Sequence, residues 1–220
     1  MQQRRILIAG ATGLVGRELL AGLLADTAVA QVHSLGRRKP QLQHPKLTAH
    51  VVDFTALPTL PPLDEVYLAL GTTIKVAGSQ AAFRALDFEA NLAVAKAARA
   101  AGARRAGLVS AMGASASSAV FYSRVKGELE DALRELGFEG LAIVRPSLLA
   151  GDRESLGQPG RRGERIGFVL GQVLGALIPA NYRPIEAAQV AQALLAAVPQ
   201  VSGVRVLLSG EMQRRALHLR

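Results

Sequence analysis

The sequence predicts an α/β fold, a doubly wound parallel sheet, on three observations. Short apolar runs alternate with longer segments of helical periodicity along most of the 220 residues. The apolar runs are continuous rather than alternating, which is the pattern of strands buried on both faces. The first of them ends directly in a glycine-rich turn that opens the first helix.

The elements follow in order. Residues 5–9 form a run rich in β-branched side chains that stops at Gly10, a strand. From 14 to 25 the apolar residues Leu14, Val15, Leu19, Leu20, Leu23 and Leu24 recur at helical spacing. Residues 30–35 are a second strand, 50–52 a brief third, and 65–70 a fourth that again ends at a glycine, Gly71. Residues 80–101 read as one long helix closed by Gly102. A fifth strand spans 106–110, a helix closed by Gly137 spans 119–136, and a sixth strand over 141–144 is stopped by Pro146. Two more helices, 166–178 and 185–197, precede a last strand at 204–208. The stretch 150–164 carries Gly151, Gly157, Pro159, Gly160 and Gly163 among charges and reads as a long surface loop. Loops in that position, after strand ends, form the ligand crevice of a doubly wound sheet. No linker interrupts the chain, so one domain is expected over 1–220, with about 150–220 forming a small C-terminal, substrate-side lobe.

Composition removes several function classes. Half of the residues are hydrophobic and 20% are charged, which excludes a disordered chain. With no Cys there is no disulfide, thiolate metal site or cysteine nucleophile. The four His (33, 44, 50 and 218) lack zinc-ligand spacing, so no metal is expected. The net charge of +9 is scattered in pairs such as Arg104-Arg105 and Arg214-Arg215, without interleaved aromatics. That is a solvated basic surface rather than a nucleic-acid site. Only Ile6–Ala9 precede the first glycine, short of the about 7–15 apolar residues of a secretory leader. The apolar stretch at 166–178 is shorter than the about 20 residues of a membrane span. A soluble, cytoplasmic protein without membrane insertion is expected.

The chemistry is carried first by Gly10-Ala11-Thr12-Gly13-Leu14-Val15-Gly16, placed strand–turn–helix. Glycines there let the backbone approach a pyrophosphate, and the helix N-terminus offers free N–H groups and partial positive charge. The spacing is G-x-x-G-x-x-G rather than G-x-G-x-x-G. At the end of the second strand an NAD enzyme would place a carboxylate for the ribose 2′-hydroxyl. The chain has Gly36-Arg37-Arg38-Lys39 instead, two guanidiniums suited to a 2′-phosphate, which points to NADP(H). Asp53, with Phe54 beside it, is placed to accept from an adenine amino group, or equally to cap the turn after the third strand. Leu70, Gly71, Thr72 and Thr73 follow the fourth strand and are small enough for the cofactor backbone to pass closely. Tyr122 and Lys126 stand four apart on one helix face, where an ammonium favours the phenolate. Ser110, ending the fifth strand, is placed to hydrogen-bond the same substrate oxygen.

Together these stretches resemble the short-chain dehydrogenase/reductase superfamily in its atypical or extended branch. The motifs are GATGLVG at 10–16, LGTT at 70–73, DFEAN at 87–91, LVSAMGA at 108–114, YSRVKGELE at 122–130 and VRPSLLAGDRES at 144–155. In this order they look like the small NAD(P)-binding oxidoreductases related to the Tat-interacting tumour-suppressor protein, over most of the chain and weakening after about residue 155. The resemblance implies a Rossmann-type fold with Tyr122 as acid/base. Lys126 would hold the nicotinamide ribose, and Ser110 would orient the substrate oxygen. Gly10 to Gly16 would line the dinucleotide, Pro146 with Ser147 and Leu148 would lie near the nicotinamide, and Asn91 would help position the site. Two departures stand out. Ser110 is followed by Ala111 and Met112 rather than further serines, although Ser115, Ser117 and Ser118 come soon after. The chain is also shorter than is usual for nucleotide-sugar epimerases of the branch.

The function expected is therefore NADP(H)-dependent hydride transfer to or from a small carbonyl or alcohol. Lys75, Arg145, Arg153 and Arg183 are candidates for gripping an anionic substrate. The alternative is a non-enzymatic, redox-sensing NADP(H)-binding regulator acting through a protein partner. Against it, a sensor has no need of an activated phenol. Extra apolar positions on the helices at 80–101 and 119–136 add the expectation of a homodimer.

Overall fold

The computed structural model describes residues 3–150 and 179–217, so the helix expected at 166–178 and nearly all of the loop expected at 150–164 lie outside the described residues. In chain order the strands are β1 (Arg4–Ala9), β2 (Val29–Gly36), β3 (Leu47–Val51), β4 (Glu65–Leu68), β5 (Arg105–Val109), β6 (Gly140–Arg145), β7 (Leu149–Ala150), β8 (Ile185–Glu186) and β9 (Gly203–Leu208). The helices are α1 (Leu14–Ala25), α2 (Ile74–Ala77), α3 (Gln80–Arg84), α4 (Asn91–Ala100), α5 (Phe121–Arg134), α6 (Ala187–Ala197) and α7 (Ser209–Leu217).

Seven strands form one sheet in the order β3-β2-β1-β4-β5-β6-β9, and every neighbouring pair is parallel. β7 and β8 pair separately, also in parallel. The chain winds outward from β1 in one direction and then, from β4, in the other. The switch lies between β1 and β4, and the crevice it opens at the carboxyl ends is where such sheets bind ligands. Strand side chains alternate between two cores. Ile6, Ile8 and Val32 pack under Leu19 and Leu23 of α1 and Val190 and Leu194 of α6. Leu7, Val66, Leu68 and Leu108 pack under Val94 and Ala98 of α4 and Leu129 and Leu133 of α5. Each fully buried Leu or Ile contributes about 1.5–3 kcal/mol relative to exposure. The α/β, doubly wound Rossmann-type arrangement expected from the sequence is thus present. No helix among the described residues is long and apolar enough to cross a membrane.

Several elements depart from the sequence reading, the short α2 and β7 among them, neither of which was expected. β3 begins at Leu47 rather than at residue 50, because an edge strand with Thr48 and Val51 exposed lacks a continuous apolar run. The single helix expected over 80–101 is three pieces, α3, a π-helical segment Ala85–Ala90 and α4. The helix expected from 185 starts at Ala187, because Ile185 and Glu186 pair with β7 and the Gln189 Oε1 accepts from the Glu186 backbone N–H at 3.2 Å. α7 was not expected, because it opens Ser209-Gly210, which reads as loop. Gly210 is needed there: a Cβ would lie 2.9 Å from the Cβ of Ala180.

Candidate functional site

The turn after β1 is built by close backbone approach. Gly10 has φ +90°, and a Cβ on it would stand 2.4 Å from the Ala69 carbonyl oxygen. A Cβ on Gly16 would stand 1.9 Å from the Gly10 carbonyl oxygen. Ala11 and Val15 are buried and pin the turn from below, while Thr12, Gly13 and Leu14 are half-buried. Gly13 donates to the Gly10 carbonyl at 3.0 Å and caps α1 without a side-chain bond. The first-turn amides of a twelve-residue helix therefore lack a competing side-chain acceptor. A turn packed this closely on its own backbone at Gly10 and Gly16, set at a helix N-terminus, fits the pyrophosphate of a dinucleotide.

Arg37, Arg38 and Lys39 follow β2 and are all exposed. The Val52 backbone N–H donates to the Gly36 carbonyl at 3.0 Å, which carries Asp53 and Phe54 alongside the end of β2. Asp53 is exposed, and its Oδ1 accepts from the Thr55 N–H at 2.9 Å. That bond holds its carboxyl below the ordinary carboxylate value. Thr55 thus fills the turn-capping role of Asp53. Phe54 is half-buried against the core.

The loop after β4 is tied to α5 through the π-helical segment. The Leu70 carbonyl accepts from Asn91 Nδ2 at 3.2 Å, and Thr72 N–H donates to Asp87 Oδ2 at 2.9 Å. Thr73 caps α2 by accepting from Val76 N–H at 3.2 Å. The other Asp87 oxygen meets Lys126 Nζ at 2.7 Å, with both side chains buried. A Cβ on Gly71 would lie 3.6 Å from Asp87 Oδ1 and 3.9 Å from Lys126 Nζ. Burial alone would lower the Lys126 ammonium, but Asp87, then Tyr122 and Glu130, outweigh it and raise the group above its ordinary value. Burial raises the Asp87 carboxyl, against the pull of Lys126 and the Thr72 amide. Tyr122, one turn before Lys126, lays its ring on the fully buried Phe83 with centroids 5.4 Å apart.

Ser110 sits directly after β5 and is buried. Its Oγ donates to Glu130 Oε1 at 2.6 Å. Glu130 is fully buried and also takes both Arg145 Nε at 2.9 Å and Arg145 Nη2 at 2.6 Å, with Arg134 Nη2 at 3.2 Å. The Ser110 proton is therefore directed at a carboxylate. Ser115 and Ser117 share an exposed hydroxyl contact of 3.0 Å. Gly127 brings their loop onto α5: a Cβ there would lie 2.1 Å from the Ser115 carbonyl carbon. Pro146 is buried, and its carbonyl accepts from Met112 N–H at 2.9 Å.

The glycine turn, the 70–73 loop, Ser110, Tyr122, Lys126 and Pro146 thus gather at the carboxyl ends of the sheet, with Arg37, Arg38, Asp53 and Phe54 along its β2–β3 side. The sequence reading missed Asp87 and Glu130, since an acidic residue within a helix ordinarily reads as solvent-facing. One signal was available: Glu130 continues the Tyr122, Lys126 face at the same four-residue spacing.

A family profile described as NAD(P)H-binding matches residues 10–200. Fmp52 of Emericella nidulans, named a mitochondrial protein, is 40% identical over 159 residues, 68% of each chain. Among solved structures, MoeE5 in complex with UDP-glucose and NAD has a TM-score of 0.65 at 16% identity, over 98% of this chain and 81% of that one. A short chain dehydrogenase family protein from Francisella tularensis has a TM-score of 0.68 at 12% identity, over 96% and 99%. Likeness at such low identity establishes the fold. The expected cytoplasmic location is overturned by the Fmp52 relatives, which are named mitochondrial in Emericella nidulans, Aspergillus terreus and Candida albicans alike. That expectation rested on the lack of an apolar leader, which bears on the secretory route and not on an organellar address. With a profile match across most of its length and relatives above 30% identity over two thirds of it, the chain belongs to the NAD(P)H-binding family that includes the fungal Fmp52 proteins.

Proposed function

We propose that this protein is an NADP(H)-dependent oxidoreductase of the short-chain dehydrogenase/reductase type, acting on a small carbonyl or alcohol. The observation that carries the reading is Lys126: a buried ammonium beside the 70–73 loop, one helical turn from Tyr122. In carbonyl reduction the Tyr122 phenol gives its proton to the substrate oxygen, and in alcohol oxidation the phenolate takes one. Lys126 holds the nicotinamide ribose and keeps positive charge beside that phenolate. A bound nicotinamide supplies or accepts the hydride. The Gly10–Gly16 turn takes the pyrophosphate, Arg37 and Arg38 grip the 2′-phosphate, and Asp53 and Phe54 receive the adenine. Ser110 orients the substrate oxygen, its hydroxyl turning from Glu130 to donate to a carbonyl and accepting from an alcohol, and Pro146 borders the nicotinamide. The kinship with the oxidoreductases related to the Tat-interacting tumour-suppressor protein rests on the motifs quoted above. The pairing of two copies through the helices at 80–101 and 119–136 belongs to the same reading. The names of the Fmp52 relatives support a mitochondrial location.

The test is a fluorescence titration with NADPH and NADH on the wild type and on Arg37→Ala/Arg38→Ala. Each charge-assisted phosphate contact is worth about 10- to 100-fold in affinity, so the preference for NADPH should largely vanish in the double variant. Absence of binding by the wild type would overturn the reading. NADPH oxidation in the presence of carbonyl compounds, lost in Tyr122→Phe, would establish the enzyme.

A further inference from the structure

We propose that Asp87 is the positioning residue of the site, a clamp that holds Lys126 Nζ with one carboxylate oxygen and the cofactor loop with the other. The inference deepens the NADP(H)-dependent reading and rests on it. The geometry is specific. Asp87 is fully buried, reaches Lys126 at 2.7 Å and accepts from the Thr72 backbone N–H at 2.9 Å. Gly71, between Leu70 and Thr72, lies directly against the pair: a Cβ on it would stand in ordinary contact with both members, at 3.6 and 3.9 Å. Two elements far apart in sequence, the 70–73 loop and α5, are thereby locked together at the point where a dinucleotide would pass from one to the other.

The π-helical segment Ala85–Ala90 gives the clamp its aim. Asp87 lies inside it, and Asn91, the first residue of α4, binds back to the carbonyls of Leu70 and Asp87 at 3.2 and 3.0 Å. Asn91 Oδ1 is buried and without a hydrogen-bond partner, so the amide is oriented by its donor side alone. A wider turn at this point directs both Asp87 and Asn91 inward, and π-helical turns within α-helices are frequent at functional sites.

The ammonium lies where burial penalises charge, and Asp87 is its principal counter-ion. The titratable groups facing it are Asp87 from the π-helical segment and Tyr122 and Glu130 from its own helix. Glu130 is already bonded to Ser110, Arg134 and Arg145. Removing the Asp87 charge therefore leaves Lys126 without a dedicated partner, and a Lys that loses its proton has one N–H fewer and no charge with which to hold ribose hydroxyls.

The test is NADPH affinity against pH, from 6.5 to 9.5, with folding followed by circular dichroism. The wild type should bind with little change over that range. Asp87→Asn should bind at least about tenfold more weakly at the upper end than at the lower, as charge-assisted contacts are lost. Arg in place of Lys126 in the Asp87→Asn background should abolish that slope, because guanidinium keeps its charge. A purely structural role for Asp87 would lower melting temperature without creating the slope. Should Asp87→Asn fail to fold, Asp87→Glu keeps the charge and displaces the clamp, and should weaken NADPH binding with a flat pH profile. Failure of the wild type to bind NADPH would defeat the oxidoreductase reading and this inference with it. Wild-type binding alongside an unaltered Asp87→Asn, or an unaltered Asp87→Glu where the Asn variant does not fold, would defeat the clamp alone.

Discussion

Replacing Gly16 by Ala should separate the turn from its helix. The added Cβ would stand 1.9 Å from the Gly10 carbonyl oxygen, a backbone atom fixed by the β1 strand. A relaxed carbon–oxygen contact needs about 3.3 Å, so α1 must retreat by about 1.4 Å or the turn must distort by as much. Overpacking of this kind costs about 1–3 kcal/mol. At about 2–4 °C per kcal/mol for a chain of this size, melting should fall by about 2–12 °C. The larger effect is on the ligand. Amides that would hold a pyrophosphate at about 2.9 Å are carried to about 4.3 Å, beyond hydrogen-bond reach. Two lost bonds to a charged group amount to at least about a hundredfold in affinity. The assay is thermal melting with and without NADPH, beside Gly13→Ala as a comparison. A Cβ on Gly13 stands 3.4 Å from the same oxygen, and its backbone, at φ −81° and ψ 172°, suits any residue. Gly13→Ala should melt close to the wild type. A Gly16→Ala protein that melts with the wild type and gains the same thermal shift from NADPH would refute the reasoning.

Two other outcomes are expected. Glu130→Gln removes the charge that holds Arg145, Arg134 and Ser110 and should cost about 2–4 kcal/mol, discounted because both arginines are partly solvated, as read by urea unfolding. His33 is held below its ordinary value, first by burial and then by His50, whose Nε2 lies 3.1 Å from its Nδ1. The unfolded chain binds a proton there near pH 6.5 and the folded chain only at lower pH, so stability should be full above about 6.5 and decline as pH falls below it. Urea midpoints at pH 7.5 and 5.5, with the difference reduced in His33→Gln, check this.

Much of the frame is legible in the sequence because it depends on constraints that leave few residue choices. The glycines of the first turn are where backbones nearly touch, and the buried strands are mostly apolar runs that admit few polar side chains, His33, Ser34 and Glu65 among them. The Tyr122 and Lys126 pair stands out by its four-residue spacing only in company with the glycine turn and the strand ends around it. What escapes is decided by tertiary partners. Asp87 and Glu130 are acidic residues in helices, and only their burial against Lys126 and Arg145 separates them from solvated ones. The break in the helix over 80–101 is invisible for the same reason. Its apolar period continues through the wide turn, and the inward pull on Asp87 and Asn91 is a property of what they meet.

The π-helical segment also constrains how this chain tolerates changes in length. An α-helix turns about 100° per residue, and a π turn takes up one extra residue so that the helix after it keeps its angular phase. Inserting a further residue within Ala85–Ala90, where one is already taken up by the wide turn, would rotate α4 by about 100° relative to α3. Asn91 would leave the Leu70 carbonyl, and the apolar stripe of Val94, Ala95 and Ala98 would swing off the sheet. Substitutions in this stretch other than at Asp87 are absorbed locally, whereas a further single-residue insertion is transmitted to the whole of α4. Lineages of this fold should therefore keep Asp87 and the residue count of 85–90 while varying the composition around it.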